Sequence, residues 1–355
     1  MAKSKHMPLD LTRDIIGRLS DPKSLCRFKS VSKSLCSMIA AIKRVDLVIV
    51  KAGKVYSADL DSPSCLKLLI VPDEIKEKYS SLTIDGSYND LILFTTTCKL
   101  ILWSKFSGDY QVVSRAPERI LQSPVAVSFL ITGFGYDPVS DDYKVAEIMC
   151  FYDKVDLRGQ CAIKIYTFRN RRTQRRYQRR IRPFPYYIYD RGYITRQAVL
   201  VGSALHWVAY RDCNGRTPPF VVAFDLTTEE FYVIELPEKT TATVVGAFEG
   251  CLTVTHPKDD EVVDIWVMKE YMVMASWTHQ FRISILDKSN GSLINPYRYM
   301  RPLAASLRNG NKILFRSGRG LLWYDPENDK LDFVDNSYPQ PRDVISIALC
   351  SWPTG

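Results

Sequence analysis

VVAFDLTTEEFYVIELP, residues 221–237, holds the structural logic of the chain in one short stretch. Val221 to Phe224 is a run of apolar, mostly β-branched or aromatic residues, Asp225 to Glu230 is polar except for Leu226, and Phe231 to Ile234 is apolar again. Such side chains suit a pleated, half-buried surface, while Asp and Thr hydrogen-bond their own backbone and close tight turns. The stretch reads as an antiparallel hairpin.

The same unit recurs along the chain. It appears as KVYSADLDSPSCLKLLI from Lys54, LILWSKFSGDYQVV from Leu100, FGYDPVSDDYKVAEI from Phe134 and KIYTFRNRRTQRRYQRRI from Lys164. It returns as DIWVMKEYMVMASWTHQFRI from Asp264 and LLWYDPENDKLDFV from Leu321. The turns from Asp59 to Asp325 are separated by about 44 residues on average, the period of propeller blades, although the intervals are uneven. A second strand signal precedes several units: SYNDLILF, VGSALHWVAY, EGCLTVTH and GNKILFRS. Two strand pairs per repeat is the plan of a four-stranded blade. The expected fold is mainly β with a small α N-terminal domain: residues 1–45 helical and 46–355 a β-propeller-like domain. The alternative is a large antiparallel β-sandwich.

Composition bounds the rest. With 46% apolar and 25% charged residues the chain has enough core-forming mass, and whole-chain disorder is excluded. No apolar run reaches the roughly 18 residues that span a bilayer, and polar, basic Met1–His6 does not read as a signal peptide. Cytoplasm and/or nucleus is the expected location. The nine cysteines are odd in number and never spaced as CxxC, and the four histidines are scattered. Neither a disulfide framework nor a metal site is expected, and the cysteines read as small buried hydrophobes. The net charge of +9 is local: eight arginines fall between Arg169 and Arg182, and removing them leaves about +1.

From Met7 to about Val45 the period changes to helical. Pro8 suits a first helical turn, and Leu11, Ile15, Ile16 and Leu19 form one apolar stripe. Ser20-Asp21-Pro22 breaks that helix, with Asp21 placed to cap the next. Leu25, Phe28, Val31, Leu35 and Ile39 follow at helical spacing. Some 40 residues with so little apolar mass complete their core against something else, a partner or the rest of the chain.

MPLDLTRDIIGRLSDPKSLCRFKSVSKSL, from Met7 to Leu35, resembles an F-box, matching at Pro8, Asp10, Leu11, Ile15, Ile16, Leu19, Asp21, Pro22, Leu25, Val31, Ser32 and Lys33. Met7 replaces the family's Leu, and Leu35 stands where its Trp is expected. GFGYDPVSDDYKV, GSALHWV, AFDLTTEEF, Leu236-Pro237 and VDIWVMKEY followed by SWT are similar to the F-box-associated domain of plant F-box proteins. That family includes S-locus F-box proteins and the "constitutive expresser of pathogenesis-related genes" type, to which YSADLDS, YDRGY and YMRPL are most alike. The resemblance implies a substrate-recognition subunit of an SCF-type ubiquitin ligase. Pro8, Leu11, Ile15, Ile16, Leu19, Pro22, Leu25, Val31 and Leu35 would bind a Skp1-like adaptor and through it a cullin, and the β domain would bind a protein substrate. Immune-receptor or defence-related targets are implied in kind.

No cofactor, metal, membrane insertion or nucleic-acid partner is expected. GFGYDP contains two glycines but no phosphate loop, and Asp137, Asp141 and Asp142 read as a capped turn rather than a cation site. His206, Trp207, Trp266, Trp277 and Trp323 read as strand-borne core. No nucleophile elbow appears, so covalent ubiquitin chemistry is assigned to other subunits. Arg171, Arg172, Arg175, Arg176, Arg179 and Arg180 form either an acidic-partner or nuclear-import patch, or a solvated connection extended by self-repulsion. Two further functions stay open: a non-ligase scaffold or decoy whose F-box is weakened at Leu35, and a glycan-binding or glycan-hydrolysing propeller.

Overall fold

The structure, a computed structural model, describes residues 45–73, 75, 82–96, 99–114, 125–153, 159–169, 177–188, 197–212, 217–237, 244–258, 262–284, 300–306, 311–317, 320–334 and 346–351. The expected helical segment therefore lies outside the described residues except for Val45, where the first strand begins.

Alternating patterns become 24 strands among these residues, paired antiparallel in six four-stranded sheets. The chain opens with β1 (Val45–Lys51), β2 (Lys54–Asp59) and β3 (Ser62–Leu68). One complete sheet follows in β4 (Thr83–Tyr88), β5 (Leu91–Thr95), β6 (Lys99–Ser104) and β7 (Tyr110–Ser114). The next is β8 (Val125–Asp137), β9 (Asp142–Asp153), β10 (Gly159–Arg169) and β11 (Tyr177–Phe184). Then come β12 (Val199–Val201), β13 (Ala204–Ala209), β14 (Phe220–Asp225) and β15 (Phe231–Ile234). The fifth sheet is β16 (Val244–Phe248), β17 (Cys251–Pro257), β18 (Val262–Met268) and β19 (Trp277–Ser284). The last is β20 (Arg301–Ala305), β21 (Ile313–Ser317), β22 (Gly320–Asp325) and β23 (Lys330–Phe333). Finally β24 (Ser346–Ser351) returns to pair with β1, giving the sheet order β24-β1-β2-β3.

Six core clusters join these sheets in a closed cycle. Ile92, Phe94 and Trp103 pack on Val48, Val50 and Val55, and Leu93, Leu100 and Leu102 on Phe134, Tyr166 and Phe168. Ile148, Ile163 and Ile165 pack on Trp207, Val222 and Phe224; Val221 and Ala223 on Val245 and Val254. Ile265 and Ile283 meet Phe315 and Tyr324, and Leu314 and Trp323 meet Leu47, Ile49 and Ile347 to complete the circuit. This is a six-bladed propeller. A sandwich buries one common core between two sheets, whereas here every sheet buries both faces against two different neighbours.

The first strand of each blade lies toward the axis, β4 beside β8 and β24, β16 beside β12 and β20. Gln197 crosses that axis. Its amide N–H donates to Ile84 O, its Oε1 accepts from Arg316 Nη1 at 2.5 Å, and its backbone carbonyl accepts from Arg301 Nη2 at 3.4 Å. Ser346 Oγ accepts Ile84 N–H at 2.8 Å, tying the C-terminal strand to the same point. Arg301 and Arg316 stand directly opposite each other in the ladder. Burial pushes them down to about 9 and about 10.

The recurring units are now placed. Six of the seven are outer hairpins, one per blade: β2–β3, β6–β7, β10–β11, β14–β15, β18–β19 and β22–β23. The seventh, FGYDPVSDDYKVAEI, is the inner hairpin β8–β9 of a blade already counted, which makes the intervals uneven. All these hairpins turn on one side of the ring. Seven non-glycine residues with positive φ (Asn89, Asp141, Glu229, Glu249, Met272, Asn311 and Asp329, 47–65°) sit in such turns. The longer links from one blade to the next leave from the other side.

Candidate functional site

Two adjacent blades, β8–β11 and β12–β15, are joined by a charged staple at this tight-turn face. Asp137 ends β8, and its carboxylate accepts from Val139 N–H (3.0 Å), Ser140 Oγ (2.7 Å) and, across the blade boundary, Thr227 Oγ1 (2.8 Å). Lys144 Nζ lies 3.1 Å from both Asp137 Oδ2 and Glu229 Oε1 and also donates to Leu226 O. Burial alone would raise the Asp137 carboxyl. The hydrogen bonds from Ser140, Thr227, Val139 and Lys144 overcome it and hold the group down at about 2. The Asp137 turn is thus capped and cross-linked. Among the described residues no group of three His, Cys, Asp or Glu side chains is arranged to hold a metal ion.

The blades also touch through glycine. A Cβ on Gly133 would lie 2.5 Å from Ala198 Cβ and 2.9 Å from Leu205 Cδ1, so only a bare backbone fits there. The motif glycines serve blade packing, not a phosphate.

The next blade boundary, between β12–β15 and β16–β19, carries the most unusual surface. Tyr271, Met272, Val273 and Met274 form one uninterrupted exposed apolar run in the β18–β19 turn, each 36–45% accessible. Tyr232 on the neighbouring outer strand is 42% accessible. The turn is firmly held. Met272 adopts φ +65°, Val273 N–H donates to Glu270 O (3.1 Å), and Ser276 Oγ donates to Val273 O and Glu270 O (2.7 and 2.9 Å). Met274–Ser276 adds a single turn of 3-10 helix.

The anchor comes from the other blade. His206 in β13 is fully buried, and desolvation pushes it down to about 4, so it is neutral at physiological pH. Its Nδ1–H donates to Val199 O (3.0 Å), leaving Nε2 to accept from Tyr271 O–H at 2.9 Å. The Tyr271 hydroxyl is in turn pushed up to about 12 by burial and by nearby Asp225 and Tyr232. The first residue of the run is thus anchored across the blade boundary by a non-local hydrogen bond. Contiguous exposed apolar patches of this kind mark protein-binding sites.

Of the residues expected at functional sites, Pro8, Leu11, Ile15, Ile16, Leu19, Pro22, Leu25, Val31 and Leu35 lie outside the described residues. So do Arg171, Arg172, Arg175 and Arg176. Arg179 and Arg180 belong to strand β11, where they pair with Tyr166 and Ile165, so the second half of the arginine run is ladder rather than connection. β11 is the edge strand of its sheet, with one side of its backbone unpaired by any other strand of that sheet. Arg182, at the end of the run, donates to Glu229 O and lies 3.5 Å from Glu230 Oε1. Trp207 and Trp323 are core as expected, whereas Trp266 and Trp277 are half-buried beside the Tyr271 turn, Trp277 Nε1 donating to Glu235 O at 3.1 Å. Sequence reasoning counted YMVM as part of an ordinary hairpin. Its tyrosine is anchored to His206, 65 residues away.

Comparison with known proteins agrees with this architecture. The chain is 29% identical to the F-box protein CPR1 of Arabidopsis thaliana over 97% of its own length and 89% of that protein's. It is 26% identical to an F-box/kelch-repeat protein of the same plant, over 97% and 94%. Among solved structures, a prolyl endopeptidase matches 91% of this chain and 52% of its own at 11% identity, with a TM-score of 0.34 on which nothing further rests. The family model for the F-box associated beta propeller domain matches residues 74–298. The chain belongs to the plant F-box proteins that carry an F-box associated beta propeller domain.

Proposed function

We propose that this chain is the substrate receptor of an SCF-type ubiquitin ligase. In this reading residues 1–45 bind a Skp1-like adaptor and through it a cullin, and the propeller binds the target protein at the Tyr271–Met274 surface. The rigidly presented apolar run carries the second half of the reading. Ring geometry supports the first. β1 begins at Val45, opposite Ser351, on the tight-turn side of the closing blade. The Tyr271 turn is on the same side but two blades further round, so adaptor and target would occupy separate arcs of one face. The receptor's own contribution is proximity: holding a target lysine near loaded ubiquitin raises its effective concentration, and the covalent chemistry belongs to other subunits.

The test uses the full chain co-purified from plant extract with the proteasome blocked. Pro8→Ala with Leu11→Ala is expected to lose the adaptor and keep the target, no longer ubiquitinated. Met272→Asp with Met274→Asp is expected to do the reverse. Undiminished adaptor capture by the first variant sinks the docking assignment, and undiminished target capture by the second sinks the surface.

Leu35 in place of the family's Trp favours a second reading, a scaffold or decoy that binds targets without a ligase. In that case Leu35→Trp raises adaptor binding from near zero, whereas a competent F-box gains little.

A further inference from the structure

We infer that Cys150 and Cys161 form a redox-active dithiol that closes to a cross-strand disulfide under peroxide. Cys150 lies in β9 and Cys161 in β10, directly opposite each other in the antiparallel ladder. Both are free thiols, and their Sγ atoms are 2.9 Å apart. Directly opposed residues in such a ladder have Cα atoms about 4.5–5.5 Å apart, inside the roughly 4.4–6.8 Å window of disulfides. The bond itself is about 2.05 Å, so closure needs roughly 1 Å of sulfur movement and no change of register.

The surroundings divide the labour between the two sulfurs. Cys150 is fully buried against Ile148 and Ile163, in the core shared by two blades, whereas Cys161 is only half-buried and open to a small oxidant. The Cys150 thiol, first through its contact with Cys161 and then through burial, is pushed far up, while the same contact pulls Cys161 down. Cys161 is the attacking thiolate and Cys150 the resolving thiol.

The chemistry balances without another reductant. The Cys161 thiolate attacks one oxygen of hydrogen peroxide, forming a sulfenic acid and releasing hydroxide, which takes a proton to become water. Cys150 sulfur then attacks Cys161 sulfur, the S–O bond breaks, and the departing hydroxide leaves as water with the Cys150 proton. Two thiols and one peroxide give one disulfide and two waters: the sulfurs lose two electrons and the peroxide gains them. The rung so formed locks β9 to β10 at the end facing the blade-to-blade links. A small thiol such as glutathione would reopen it by exchange.

The test treats the reduced full-length protein with stoichiometric hydrogen peroxide, alkylates remaining thiols after denaturation, and maps peptides by mass spectrometry. The expected product is one peptide pair joined through Cys150 and Cys161, lighter by two hydrogens, restored by dithiothreitol. The oxidised protein should melt a few degrees higher than the reduced one. Cys150→Ser, if it folds, should instead stop at a Cys161 sulfenic acid that dimedone traps. The proposal is overturned if the folded wild type accumulates dimedone-reactive or sulfinic Cys161 while Cys150 still alkylates. A bond from either residue to a different cysteine also overturns it. Because the wild-type mapping decides the outcome, a misfolded variant does not leave the question open.

Discussion

Asp137→Asn removes the charge at the centre of the inter-blade staple while keeping its shape. Two independent routes give the cost. The wild-type carboxyl titrates at about 2 in the folded chain against an ordinary 3.8; that difference, at about 1.4 kcal/mol per unit, amounts to about 2 kcal/mol. From the geometry, breaking a buried ion pair costs about 3–5 kcal/mol when the partner is stranded. Lys144 keeps Glu229 Oε1 at 3.1 Å and Leu226 O, so the lower end applies. The routes meet near 2–3 kcal/mol. The pH dependence is the sharper part. A depressed carboxyl stabilises the fold fully above its unfolded value near 4, and the contribution is lost as pH falls toward 2. Urea titrations of wild type and variant should therefore differ by about 2 kcal/mol at pH 7 and converge as the pH drops from 4 to 2. A gap below about 0.5 kcal/mol at neutral pH, or one that persists unchanged at pH 2, would refute the staple.

Three further outcomes follow from the same contacts. Gly133→Ala forces its new methyl into Ala198, which has no rotamer to yield, and should cost about 1–3 kcal/mol by urea titration. Tyr271→Phe leaves the buried Nε2 of His206 without its donor and should cost about 1–3 kcal/mol, with faster amide exchange over residues 270–276. His206 itself titrates at about 4 rather than 6.5, a depressed base, so its contribution is complete above pH 6.5 and disappears as pH falls to 4. Amide protection factors in the Tyr271 turn, corrected for the intrinsic pH dependence of exchange, should accordingly fall over that window in the wild type, and protection flat with pH there would contradict the assignment.

The sequence made the hairpins legible because their information is local: an apolar run, a polar turn and a second apolar run lie within some 15 residues of one another. It blurred the blade count for an equally local reason. FGYDPVSDDYKVAEI looks like the outer units, and only strand pairing distinguishes an inner hairpin from an outer one. Cys150 and Cys161 were legible as apolar-sized core residues but not as a pair, because spacing alone does not state register. A shift of one residue would have put them on opposite faces. The arginine run reads in sequence either as an acidic-partner or import patch or as a solvated connection extended by self-repulsion. Its second half is instead strand β11, because ladder pairing with β10 is non-local information that a charge run does not carry.

The least legible feature is the one proposed to matter most for recognition, and the physics explains why. In YMVM the sequence offers four apolar side chains and no glycine, so every local rule assigns them inward. Instead they stand exposed in a turn that carries Met272 at φ +65° and a tyrosine hydroxyl bonded to a histidine on another blade. A left-handed methionine and a fully buried histidine are each costly alone. Both are borne by a closed ring whose six core clusters do not include Tyr271 to Met274. It follows that the outer turns are free to vary in target chemistry, while Asp137, Lys144 and Gly133 are bound to the ring. Exchanging Met272, Val273 and Met274 for polar residues while keeping Tyr271, the donor to His206, should therefore change which protein is captured and leave the melting transition in place.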